Sequence, residues 1–150
     1  MEYEEVLKHL APCGLSCQKC FAFKDGDIRK AASTLKDKLG NFEIYAQRFS
    51  SLVDPVFAHY PAFKELLFFL AGGSCQGCRD QVCGLWPECF VASCYREKKV
   101  DYCFQCEEFP CQKVNFDEHL KRRWVQMNLS MREIGVMKYY EYTRTEPRYK

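Results

Sequence analysis

Eight cysteines lie between Cys75 and Cys111, separated by two, four, five, four, eight, two and four residues, and Cys13, Cys17 and Cys20 stand near the N-terminus. Thiols at this density either cross-link to one another or, as thiolates, grip cations. Cys17/Cys20, Cys75/Cys78 and Cys103/Cys106 are C-x2-C pairs. A two-residue spacer makes a turn that aims both sulfurs at one ion and leaves backbone N–H groups free to donate to them. The total of eleven is odd, so complete disulfide pairing would leave one thiol over. The opening Met1-Glu2-Tyr3-Glu4-Glu5 is acidic and lacks the basic start and apolar run of a secretory leader. A reduced, cytoplasmic, metal-loaded chain is the expectation.

The ligand arithmetic is uneven. Cys75-x2-Cys78-x4-Cys83 returns as Cys103-x2-Cys106-x4-Cys111, with Cys89-x4-Cys94 between them, a repeated metal-binding turn. A closed tetrahedral site takes four ligands, so the late block of eight suffices for two four-cysteine sites. Cys13, Cys17 and Cys20 are then one ligand short of a third. His9, four residues before Cys13, is better placed than His59 or His119 to supply it, although none stands at a tight ligand spacing. Alternatively one cysteine is a small buried hydrophobe, and Cys83 is the choice for that role. The candidate metal ligands are therefore Cys13, Cys17, Cys20, Cys75, Cys78, Cys83, Cys89, Cys94, Cys103, Cys106 and Cys111. Thiolates suit zinc and iron–sulfur clusters alike in softness. The ferredoxin run C-x2-C-x2-C-x3-C-P is absent, and pairs set apart by longer stretches are the usual form of structural zinc. Zinc is expected, with [4Fe–4S] as the alternative.

Other chemistry is poorly represented. Glu88, Asp101, Glu107 and Glu108 lie near cysteines and could serve an open metal site as a base, but solvated loop carboxylates are the simpler reading. No Ser-His-Asp, phosphate-loop or dinucleotide fingerprint is present. Eleven thiolate charges against six from three zinc ions would turn the formal +2 into −3, so nucleic acid is not an expected partner. Lys121-Arg122-Arg123 reads as a solvated helix face balanced by Asp117 and Glu118. The longest apolar run, residues 66–71, is too short to cross a bilayer.

The elements that must position these sulfurs are helical, in a single domain spanning residues 1–150. Residues 1–24 carry the N-terminal cysteine cluster and 25–73 contain no cysteine. Ile28, Ala31, Ala32, Leu35 and Leu39 repeat at helical spacing after Asp27, a candidate N-cap. Gly40 breaks that helix and Asn41 caps the next, with Phe42, Tyr45, Ala46, Phe49 and Leu52 inward. Pro61 opens a third helix that stops at Gly72-Gly73. Its Phe63, Leu66, Leu67, Phe69 and Leu70 are the expected centre of the core. Residues 75–111 show no sustained period and depend on metal for order. Residues 113–142 return to helix, with Val114, Leu120 and Trp124 inward and a capping box at Ser130-Met131-Arg132-Glu133 starting a last helix. The polar tail 143–150 is expected to fray. The fold class is mainly α: a small helical core with a cysteine-rich, irregular metal-binding segment packed on it.

Pro12-Cys13-Gly14-Leu15-x-Cys17-x2-Cys20, Cys75-x-Gly77-Cys78-Arg79, Cys89-x4-Cys94, and Cys103-x2-Cys106-x2-Phe109-Pro110-Cys111, together with the later Arg132-Glu133-Ile134-Gly135, resemble a cysteine-rich bacterial and archaeal family filed as domain of unknown function 3795. The resemblance spans about residues 11–140. It implies a metal-binding cysteine array and no established activity. Cys83 departs from the simplest form of the pattern through an extra residue before Cys89. Cys13-x3-Cys17-x2-Cys20 also resembles the cluster motif of radical S-adenosylmethionine enzymes, but Lys19 stands where those enzymes commonly have an aromatic residue. No alternating strand–helix pattern supports their barrel. The functional expectation is a metal-binding protein, structural zinc in a small module that docks on a protein partner. An iron–sulfur electron-transfer protein is the alternative, with an open-site enzyme behind it.

Overall fold

The computed structural model describes residues 2–80 and 83–150. Among these residues, seven α-helices run in the order α1 (Tyr3–His9), α2 (Asp27–Leu39), α3 (Phe42–Leu52), α4 (Tyr60–Ala71), α5 (Val91–Glu97), α6 (Glu118–Ile134) and α7 (Val136–Thr145). Among the described residues, extended pairing is confined to two isolated bridges, Leu10 with Ser16 and Phe23 with Cys75. The protein is mainly α, as expected. No described helix is long and apolar enough to cross a membrane.

Helix boundaries follow local chemistry, with some displacements. Pro61 sits in the first turn of α4 and Gly72 ends it. Asp27 is not the cap of α2: Gly26 takes that place and Asp27 is the first helical residue. There its carboxylate complements the positive helix end, accepts from Gln18 Nε2 at 3.3 Å and pairs with Lys19 at 3.6 Å. Asn41 precedes α3 but makes no capping hydrogen bond. Asp117 caps α6 by accepting from the Leu120 N–H at 2.8 Å. The helix expected to begin at Ser130 does not; α6 runs straight through it. Trp124, Asn128 and Met131 form one buried stripe along α6, and a break at Ser130 would cut it. The real break is Gly135, whose φ of +84° is strained for any side-chain-bearing residue.

The core lies elsewhere than the apolar run of α4. Leu67 is buried there, but Phe63, Leu66 and Phe69 are 43%, 58% and 66% exposed. α4 is apolar around most of its circumference, and its buried contacts with α2 need only the stripe of Ala32, Leu67 and Ala71. One main cluster joins Ala11, Cys13, Cys17, Cys20, Phe23, Val91, Val114 and Trp124. The other joins Val6, Leu10, Tyr102, Met131, Tyr139 and Tyr140. Three cysteines thus sit at the centre of the molecule. The stretch 75–111 is also less irregular than expected, since it contains α5 and a short 3-10 turn at Cys103–Gln105.

Asn128 ties these layers together. Fully buried on α6, it accepts from the Phe104 N–H at 2.9 Å and donates to the carbonyls of Cys13 and Trp124, each at 2.9 Å. Both cysteine-bearing halves of the chain are thereby fixed to one helix. Asn128→Ala orphans the Phe104 N–H and the Cys13 carbonyl at about 1–3 kcal/mol each. A loss of about 3 kcal/mol is expected in urea denaturation of the protein as purified; a loss below about 1 kcal/mol would contradict this role.

Candidate metal centre

The eleven cysteines are all free thiols, and they line two separate chambers. The smaller chamber, about 30 Å³, is walled by Cys94 from α5, by Cys103 and Cys106 around the 3-10 turn, and by Cys111. Phe109 and Trp124 close its inner side, their rings meeting edge to face at 4.9 Å. The indole N–H of Trp124 is buried and makes no hydrogen bond of normal geometry. It nonetheless lies close enough to Cys103 to favour that thiol's charged form, against burial, which pushes Cys103 up to about 11. A buried donor beside a sulfur is the arrangement a metal-bound thiolate uses for support. At the rim, Glu108 pairs with Lys98 and Lys113, which hold its carboxyl down at about 2.

The larger chamber, about 180 Å³, is lined by Cys13, Cys17, Cys20, Cys75, Cys78, Cys83 and Cys89. The first three arrive on a loop bent back by the Leu10–Ser16 bridge and by the Cys17 N–H, which donates to the His9 carbonyl at 2.7 Å. Gly14, at φ +94°, lets this loop press on α6: a Cβ there would lie 2.9 Å from Met131 Cε and 3.0 Å from Met127 Cβ. The Phe23–Cys75 bridge then aligns the second segment, with the Cys75 N–H donating to the Ala22 carbonyl at 2.8 Å. The Gly77 N–H donates to Cys75 Sγ at 3.4 Å, the N–H···S support that a C-x2-C turn provides.

Charge is unevenly distributed among these sulfurs. Burial pushes Cys13 up to about 12. The neighbouring Cys17 and Cys83 thiols, with burial, push Cys78 strongly up. Through the same contacts Cys17 falls to about 7 and Cys83 to about 5. A thiol between two incipient thiolates is a crowded donor set that a cation would relieve. Among the described residues, no three His, Cys, Asp or Glu side chains converge as a bound ion requires.

A family model described as a protein of unknown function, DUF3795, matches residues 9–116. The chain belongs to this family. No curated protein and no solved structure matches it. The DUF3795 region contains every cysteine, whereas the α6 face that backs them lies beyond it.

The lining of the DUF3795 chambers also places the other candidates. His9, the expected twelfth ligand, lines neither chamber; its ring stacks on Tyr140 at 6.2 Å and meets Phe23 edge-on at 6.1 Å. His59 lines an apolar groove beside Phe42, and His119 is exposed on α6. Among the described lining residues there is no carboxylate: Asp101 accepts from Tyr3 and Glu108 is held by lysines, while Glu88 and Glu107 are exposed. Cys83, expected to be the odd one out, lies in the larger chamber; its neighbours 81 and 82 fall outside the described residues.

The tail supplies two residues that the sequence reading missed. Instead of fraying, α7 continues to Thr145, and Arg148 donates to the Ser16 carbonyl and lines the larger chamber. Tyr149 accepts from the Phe21 N–H at 3.2 Å and reaches Cys20 Sγ at 3.9 Å. A polar tail carries no signal of such return contacts.

Proposed function

We propose that this DUF3795 protein is a cytoplasmic zinc–thiolate protein whose ions act as internal cross-links. The observation that carries this reading is the sorting of all eleven cysteines into walls of four and seven, with none left outside. The four-sulfur chamber supports a structural tetrahedral zinc by its chemistry, soft donors only, a buried indole N–H at hand and room for little more than one small ion, and binding would draw the four sulfurs together around it. Zinc bound there would supply stability; Cys94, Cys103, Cys106 and Cys111 would hold it, and Trp124 would steady Cys103. A hydrolytic centre would need a base at the site, and the carboxylates nearby are engaged or turned to solvent.

The size of the seven-sulfur chamber favours a second reading for that site alone, an iron–sulfur cluster with an electron-transfer role. An apolar groove among Leu35, Phe42, Val56 and Phe63 supports the further proposal that the module docks on a protein partner. Protein purified without oxygen is expected to be colourless and to carry about three zinc ions per chain. Brown colour with iron and acid-labile sulfide would favour the cluster. Protein free of both metals would overturn the metal-binding reading.

A further inference from the structure

A third cavity, of about 210 Å³, lies where the loop carrying Cys13 and Cys17 meets the middle of α6, α7 and the tail. Among its described lining residues there is no cysteine, so neither sulfur chamber accounts for it. Lys19 from the loop, Arg123 from α6, and Arg148 and Lys150 from the tail line it, against a single carboxylate, Glu146. We propose that this cavity binds a small phosphate monoester, with Arg123 and Arg148 holding the phosphoryl group and a ring-sized apolar body lying against the opposite wall.

The protein does not balance this charge itself. Lys150 pairs with Glu146 at 2.8 Å and Lys19 with Asp27 at 3.6 Å. Among the described residues neither guanidinium has a carboxylate partner. Arg123 instead donates to the Arg148 carbonyl at 2.8 Å, and Arg148 donates to the Ser16 carbonyl. A guanidinium is a planar fork of N–H donors, and a single carbonyl occupies only part of it. Two such cations lining one small cavity repel each other unless an anion joins them. A phosphate monoester brings about two negative charges at neutral pH, whereas a carboxylate brings one, and its oxygens suit both forks.

The rest of the lining is apolar and held in place. Tyr139, 5% exposed, donates to the Gly14 carbonyl at 3.1 Å, which fixes the loop to α7. Leu15, Met127 and Pro147 add apolar surface beside it. Size narrows the ligand further. At ~30 Å³ per water the cavity holds about seven waters' worth of material, room for a phosphoryl group and one ring. It falls short of the ~300 Å³ at which pockets for larger ligands begin, so a dinucleotide does not fit. The assignment is independent of which metal the sulfurs hold.

Calorimetric titration of the full chain, as purified and in phosphate-free buffer, tests the site with phenyl phosphate as the probe. A single ester is expected to bind each chain with a Kd below about 1 mM. Inorganic phosphate, which leaves the apolar wall uncovered, and benzoate, which brings less charge, are expected to bind more weakly. Arg123→Gln is expected to weaken phenyl phosphate by about tenfold or more. Arg122→Gln, exposed on the same helix and outside the cavity, is expected to leave it unchanged. The wild-type titrations need no variant, so misfolding of Arg123→Gln does not protect the proposal. Absence of saturable binding at about 10 mM phenyl phosphate would overturn it. Benzoate binding as tightly would overturn the phosphoryl assignment, and inorganic phosphate binding as tightly would overturn the apolar body. Equal weakening by both variants would overturn the site in favour of diffuse surface charge.

Discussion

Stripping metal from the protein with a strong chelator is expected to abolish hydrogen-exchange protection across residues 75–116 while α2 and α4 stay protected. A structural zinc site contributes on the order of 10–16 kcal/mol of apparent binding free energy at neutral pH. Whole domains are stable by only about 5–15 kcal/mol, so losing even one such site exceeds what the cysteine-bearing half can spare. That half has few other resources. Among its described residues the regular structure is α5 and one 3-10 turn, and only Gly77, Val91, Tyr102 and Val114 are buried, the cysteines being half-buried. The helical arm draws on different contacts. α2 and α4 pack through Ala32, Leu67 and Ala71, and Phe42, Phe49, Phe57 and Tyr60 form a ring cluster with centroids 5.1–6.1 Å apart. Mass-spectrometric exchange before and after chelation reads both regions at once. Unchanged protection of 75–116 in protein shown to be metal-free would contradict the account.

Trp124→Ala is expected to cost about 3–5 kcal/mol, the range for removing a large aromatic side chain from a core. Trp124 is 1% exposed, packs edge-on against Phe109 and Phe116, and backs the four-cysteine chamber. Its loss opens a cavity where α6 meets the cysteine-rich segment, so thermal unfolding should shift strongly downward. Trp124→Phe separates packing from hydrogen bonding. It keeps most of the apolar contact but deletes the indole N–H beside Cys103. A modest stability loss is expected there, together with zinc release from Cys94, Cys103, Cys106 and Cys111 at lower chelator concentration. Identical chelator sensitivity in wild type and Trp124→Phe would show that the N–H does not support the sulfur.

The cysteines that line the two chambers were legible because cysteine spacing is a local signal. The C-x2-C turns, the helices from residue 27 to 71 and the helical return after Cys111 all follow from short-range patterns. The partition into seven and four was not legible, because it depends on which loops meet in space. Cys94 groups with Cys103 through the placement of α5, while Cys89, five residues earlier, faces the other chamber. The core was misplaced for a related reason. Hydrophobic density marks α4, yet burial depends on how much surface a neighbouring helix covers, and α2 covers only a stripe. Asn128 reads as an ordinary polar residue in an amphipathic helix, and only the arrival of Phe104 and Cys13 on that face gives it a role. Arg148 and Tyr149 were missed because tail contacts reach back more than a hundred residues along the chain.

The central claim is that these sulfurs bind metal directly, and X-ray absorption at the zinc edge of protein as purified tests it without any variant. The account predicts a first shell of sulfur alone, four per zinc at about 2.3 Å. A shell dominated by nitrogen or oxygen, or a sample with no zinc to absorb, would contradict it.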